Sequence, residues 1–175
     1  MAEALIHLVP IYLPNHSTVL SQLAEHLQRT FFATVLTRPP RFDPESAFDG
    51  SRGQYHSTRL LELLLDENPA PDARVLGVAG VDLFIPILTY VFGEAQLEGS
   101  AAIVSTYRLD NSLYGLPSDD GILTRRLNTE ATHELGHTFG LLHCQRGQCV
   151  MHSSTYAEDV DLKSADFCPK CSQSL

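Results

Sequence analysis

The stretch "HELGHTFGLLHCQRGQC", residues 133–149, decides how this chain is read. Its first two histidines, His133 and His137, stand four residues apart, and Leu127, Ala131, Leu135 and Phe139 recur every fourth residue around them. This spacing predicts a helix from about Leu123 to Phe139, its apolar stripe turned to a core and its histidines about half a turn away, facing a cleft. Gly140 falls where the helix can end in a left-handed turn, which glycine adopts without steric cost. The chain then doubles back, bringing His143 toward the other two.

Two imidazoles one turn apart can hold a tetrahedral zinc ion without distorting the helix, and a third nitrogen from His143 leaves the fourth position open for water. Glu134 is turned toward that zinc-bound water and can take its proton as the water attacks a carbonyl carbon. The pattern points to peptide-bond hydrolysis, with Glu134 catalytic and His133, His137 and His143 as metal ligands. Bare HExxH matches arise by chance; here helix phase, glycine and third histidine agree against reading His133 and His137 as plain surface residues. His152 competes as third ligand, at a separation less suited to a compact turn. His7, His16, His26 and His56 have no ligand spacing.

Cys144 follows His143 directly, Cys149 closes a short turn containing Gly147, and "CPKC" runs from Cys168 to Cys171. Four thiolates from two such pairs make a closed tetrahedral zinc site, good for structure and poor for catalysis. The tail after Gly140 has few apolar residues to build a core, so a metal staple would supply the missing stabilisation. Disulfides or an iron–sulfur centre are the alternatives. The expectation is Zn2+ at two sites per chain, one catalytic and one structural.

Outward from this stretch, "LIHLVPIY" from Leu5 reads as a buried strand, with Pro10 placing its end or a sheet margin nearby. "STVLSQLAEHLQRTFF" reads as a helix behind a Ser or Thr cap, with Leu20, Leu23, Leu27 and Phe31 on one face. "FATVLT" returns as a strand, "RPPRFDPESAFDGSRG" is a loop, "YHSTRLLELLLDE" a second helix and "ARVLGVAG" a third strand. This β-α-β-α-β order predicts a mainly parallel sheet in an α/β fold. "LTYVFGEAQLEGSAAIVSTYRL" holds two strand-like runs on a short connection, so one of them is an antiparallel edge.

At 175 residues, 43% hydrophobic and 19% charged, the chain suits one soluble globular domain with room for a small subdomain. A formal net charge of −9 argues against nucleic acid as a partner. The acidic surface serves solubility, or else a preference for basic substrates. The N-terminus lacks the basic region and cleavage site of a signal peptide, and no stretch reaches membrane length. A cytoplasmic protein without a membrane partner is expected, in a reducing compartment that disfavours disulfides.

The run HExxHxxGxxH followed by Met151 resembles the metzincin metallopeptidases, in which a methionine turn packs beneath the ligand histidines; a methionine filling a core gap is nearly the same physically. A cysteine right after the third histidine, another two before the methionine, and a final CxxC resemble the archaemetzincins. The linker from Met151 to Cys168 is slightly shorter than that family's pattern. "RGQYHS", "DLFIP", "VFGEA" and "VSTYRL" also look like family segments, so the resemblance covers most of the chain.

The resemblance implies a metzincin-like mixed twisted sheet with backing helices. Residues 1–140 would form a larger catalytic subdomain ending with the active-site helix, and residues 141–175 a small zinc-stapled one, with the cleft between. It also implies an antiparallel edge strand within Thr89 to Leu97 that pairs with an extended peptide. A monomeric zinc metallopeptidase acting on peptide or protein substrates follows, with His133, His137 and His143 on the catalytic zinc, Glu134 as base and proton donor, and Cys144, Cys149, Cys168 and Cys171 on the structural zinc. No tyrosine is assigned to the transition state, since Tyr156 follows the methionine too distantly. A metzincin-shaped peptide-binding or interaction module without useful turnover is the reading from another class, suggested by the lack of a visible propeptide. A narrow cleft or an aminopeptidase-like preference also accommodates that lack.

Overall fold

The computed structural model describes residues 4–13, 17–68, 70 and 72–175; His16 lies outside them. Strand β1 (Ala4–Ile11) is buried from Ile6 onward. Helix α1 (Thr18–Phe31) begins behind Ser17, whose hydroxyl accepts the Leu20 N–H at 3.1 Å, and it buries Leu20, Leu23, Leu27 and Phe31. Strand β2 (Ala33–Thr37) follows. The stretch expected as a loop carries a 3-10 turn at Pro44–Ala47 and a short strand, β3 (Phe48–Asp49), paired antiparallel with β4 (Gln54–His56). Helix α2 (Ser57–Asp66), β5 (Ala73–Ala79), β6 (Leu83–Phe84), β7 (Gly93–Ala95) and β8 (Ala101–Ser105) come next. Helix α3 (Asp120–Thr138) leads into the tail, which holds α4 (Ala157–Leu162) and α5 (Pro169–Ser172).

The main sheet has the order β2-β1-β5-β8-β7, and β3-β4-β6 form a second, small one. Strands β2, β1, β5 and β8 are parallel, and β7 lies antiparallel at the edge, inside the Thr89–Leu97 window. The chain is therefore a mixed α/β protein. Pro10 stands next to the end of β1 as expected, as the penultimate residue of this interior strand. Leu8 accepts from Arg38 beyond β2 while Ile11 accepts from Gly80 beyond β5. Alternate residues thus address alternate neighbours, so Pro10 faces the β2 side, where pairing has already ended at Leu8. Its missing N–H costs no ladder bond there.

Helices α1 and α3 cover one face of the sheet, packing Leu23, Leu27, Leu127 and Leu135 against Ile6, Leu8, Val78 and Val104. Helix α2 covers the other, packing Leu60 and Leu64 on Val9, Val75 and Ile103. Helix α3 starts earlier than its apolar pattern suggests, because the Asp119 carboxylate accepts the Ile122 N–H at 2.9 Å and caps it. Nor is it two-sided: Arg126, Thr129, Glu130, Thr132, His133 and Glu134 are buried along with the leucines. The tail covers its polar side, through Arg126 with Asp161 at 2.7 Å and Glu130 with Lys163 at 2.9 Å. The tail also has a small core of its own, Leu141, Val150 and Met151 with Cys149 and Cys171. Among the described residues, no helix is long and apolar enough to cross a membrane.

Candidate active site

Helix α3 ends as expected, at Gly140 with φ +89°. Gly140 N–H donates to the His137 carbonyl at 2.9 Å and Leu141 N–H to that of Gly136 at 3.1 Å. These two bonds are the Schellman pattern, which closes the helix and reverses the chain. The reversal brings His143 back over the helix, its ring centroid 5.2 Å from that of His133 and 5.1 Å from that of His137.

In the same reversal, Nδ1 of His133 bonds the Val150 carbonyl at 2.8 Å, and Nδ1 of His137 bonds the Leu141 carbonyl at 2.7 Å. A carbonyl only accepts, so both Nδ1 atoms carry the proton and both Nε2 atoms present lone pairs. Those two Nε2 atoms lie 3.1 Å apart. Facing lone pairs repel unless a cation lies between them, and a tetrahedral zinc with nitrogens at about 2.0–2.1 Å separates its ligands by about 3.3 Å. Burial lowers the pKa of His133 well below its ordinary value, and lowers those of His137 and His143. The imidazoles are thus kept in their neutral, metal-binding form. One ligand atom from each of the three lies within 4.8 Å of the others. His152 stays outside this cluster, with Nδ1 bonded to the Cys144 carbonyl at 2.9 Å, and His26 bonds Thr132 at 2.9 Å.

Beneath the trio, Met151 is fully buried. Its Sδ lies 2.5 Å from where a Cβ on Gly136 would stand, so that glycine lets the methionine pack against the helix backbone. Glu134 meets β7 in the same manner, its Cγ 2.7 Å from the position of a Cβ on Gly93. Burial pushes the Glu134 carboxyl well above the usual range; Glu130 and Glu94 add to this, and Lys163 opposes it. That balance holds before any metal charge is counted. Glu94, on the other face of β7, accepts from Ser57 and from Thr58 at 2.9 Å, at the start of α2. A cavity of about 550 Å³ opens over this floor. Leu88 to Gly93 line one wall and Ser153 to Tyr156 the other, above Glu130, His133, Glu134 and His143.

The four cysteines are free of disulfides and converge. Sγ of Cys144 lies 3.9 Å from that of Cys168, and Sγ of Cys149 lies 3.8 Å from that of Cys171. Tetrahedral zinc with Zn–S of about 2.3 Å separates its sulfurs by about 3.8 Å, whereas a disulfide requires about 2.05 Å. The N–H groups of Arg146 and Cys168 reach the sulfurs of Cys144 and Cys149 at 3.5 and 3.4 Å. The backbone N–H of Cys171 is the main cause that lowers the Cys168 thiol to about 6. This donor set fits a closed zinc site.

Several residues in or beside the site carry no local pattern. Gly136 is revealed only by what approaches it, and Glu130 and Lys163 only by their meeting. Asp82, Gly93 and Arg108 lie in the segments "DLFIP", "VFGEA" and "VSTYRL", whose only mark in the sequence is their resemblance to family segments.

The statistical model of peptidase family M54 matches residues 42–175. The archaemetzincin of Methanocaldococcus jannaschii is 44% identical over 137 residues, covering 78% of this chain and 74% of that protein. That of Methanopyrus kandleri is 37% identical over 163 residues, covering 93% and 89%. This chain belongs to the archaemetzincins, peptidase family M54. The crystal structure of the Methanopyrus kandleri archaemetzincin superposes with a TM-score of 0.85 at 36% identity, covering 98% of this chain and 92% of that one. The Archaeoglobus fulgidus archaemetzincin, crystallised with malonate, gives 0.84 at 34% identity, covering 98% and 99%. The archaemetzincins are a zinc metallopeptidase family, and zinc is the metal that both donor clusters suit.

Proposed function

We propose that this archaemetzincin hydrolyses peptide bonds, with a catalytic zinc on His133, His137 and His143 and a structural zinc on Cys144, Cys149, Cys168 and Cys171. The observation that carries this reading is the pair of Nε2 lone pairs 3.1 Å apart, their Nδ1 protons already committed to carbonyls. Zinc supplies Lewis acidity there, polarising a carbonyl and lowering the pKa of water toward neutrality.

The chain's own residues do the rest. Glu134 accepts the proton of the attacking water and returns it to the leaving amine. Its carboxylate is placed by Gly93, where any side chain would displace it. The free edge of β7 offers backbone groups to an extended peptide laid beside it. Residues 1–140 supply the helix and this edge, and residues 141–175 supply His143, the methionine turn and the opposite wall, so the two parts meet at the cleft.

The test is Glu134→Ala, which is expected to retain zinc and lose hydrolysis; equal turnover by variant and wild type overturns the reading. The burial of Glu134 favours a second reading, a peptide-binding module with little turnover. Peptides bound but not cleaved by zinc-replete protein select it.

A further inference from the structure

One wall of the cavity is held by a network that the proton-transfer residues do not use. The Arg52 guanidinium donates to the carbonyls of Leu88 at 2.9 Å and Thr89 at 3.1 Å. Gln54 Nε2 donates to the Thr89 carbonyl at 3.0 Å and to Asp82 at 2.9 Å. Asp82 in turn takes both Nε and Nη2 of Arg108, at 2.7 and 2.6 Å, a bidentate pair that fixes the guanidinium plane. That plane lies 4.2 Å from the ring centroid of Tyr90, and Phe92 meets the same ring edge-on at 5.6 Å. A ring held between a fixed cation and a buried aromatic keeps one orientation.

In that orientation the Tyr90 hydroxyl donates to the Thr155 carbonyl at 2.7 Å. Tyr90 and Thr155 belong to the two walls of the cavity, so this bond spans it. Tyr90 stands three residues before Gly93, where β7 begins. Beyond Phe92 the chain leaves the sheet edge, with Val91 N–H donating to Leu83 at 3.0 Å. An extended peptide paired with β7 therefore finds no free edge past Gly93 in that direction, because Val91 is already bridged to Leu83 and Tyr90 follows at once.

We infer that Tyr90 is a specificity-determining residue that closes this end of the cleft, so that the substrates are short peptides or chain ends rather than the middle of a continuous polypeptide. The inference rests on the peptidase reading above. It gives a role to four segments, those of Arg52, Asp82, Tyr90 and Arg108, that the zinc and its base leave unexplained.

The test uses zinc-replete full-length protein and quenched-fluorescent peptides sharing one central sequence, one of about four residues, spanning about 13 Å, and one of about sixteen. Wild type is expected to show kcat/KM at least about tenfold higher on the short peptide, with cleavage of the long one confined to its ends. Tyr90→Ala is expected to bring that ratio within about threefold, through a lower KM for the long peptide, and to admit internal cleavage. Tyr90→Phe removes only the bridging hydroxyl, keeps the ring on Arg108, and moves the ratio the same way by less; it serves where Tyr90→Ala does not fold. Equal kcat/KM on both peptides in wild type, or a length ratio unchanged in a folded Tyr90 variant with wild-type zinc content, overturns the inference. Failure to cleave either peptide counts against the peptidase reading instead. The length rule is then read by fluorescence anisotropy of the same peptides on wild-type protein, where tighter binding of the short one supports it and equal binding overturns it.

Discussion

Replacing Lys163 by methionine tests whether the tail is held to the active-site helix by a buried charge pair. The side chains of Lys163 and Glu130 are only 1% and 5% exposed, with Nζ 2.9 Å from Oε1. Nζ also donates to the His152 carbonyl at 2.8 Å, one residue past Met151. Removing one partner of a buried pair costs about 3–5 kcal/mol because the other charge is left uncompensated. The orphaned carbonyl adds about 1 kcal/mol. At about 2–4 °C per kcal/mol for a protein of this size, Tm should fall by about 8–24 °C.

The loss carries a pH signature. Burial raises the Glu130 carboxyl and Lys163 pulls it down, so without the lysine it rises further. An acid whose folded pKa exceeds its unfolded one binds its proton more tightly when folded. Its contribution is therefore complete below the unfolded pKa and is lost as pH rises through the folded one. The deficit of Lys163→Met against wild type should thus be smaller near pH 5 than near pH 8. Thermal melts by circular dichroism at fixed zinc concentration measure this, with Glu130→Gln/Lys163→Met expected to recover more than half the loss. A fall under about 2 °C near pH 8, a deficit that does not change with pH, or a double variant no better than the single one refutes the argument.

Gly93→Ala places a Cβ 2.5 Å from the Ile103 carbonyl and 2.7 Å from Glu134 Cγ. Backbone on one side cannot yield, so Glu134 must shift, and kcat should fall about a hundredfold with zinc content unchanged; wild-type kcat in the folded variant contradicts this. Cys171→Ser should lower zinc from two ions per chain to one and speed proteolytic loss of the tail after Gly140, read by metal analysis and limited proteolysis. Retention of both ions and of the tail counts against a structural thiolate site.

Legibility of this molecule from sequence divides by distance along the chain. The ligand pair at i and i+4, the glycine closing the helix, the cysteine pairs and the β-α-β-α-β order are all set within a few turns of chain, where residue spacing alone determines geometry. Lys163 and Glu130, or Tyr90 and Thr155, meet only because the fold brings distant segments together, and the other lysine, Lys170, and the other tyrosines carry no sequence mark that sets them apart. Helix α3 is the instructive case. Its pattern predicts a core face and an open face, yet Thr129, Thr132, His133 and Glu134 are buried. Polar residues reach the interior only when their partners come with them, and here many of those partners sit in the tail. The tail therefore attaches to α3 through ion pairs and carbonyl-bound imidazoles and is held within itself by a thiolate cluster and a small apolar core, while the sheet is held by two apolar layers. The imidazoles and Asp161, whose folded pKa values are lowered, lose their contribution as pH falls, and the thiolate cluster loses its own when metal is removed, while apolar burial responds little to either. Acid or chelation should accordingly open the cleft from the tail side first, leaving the sheet and its helices folded.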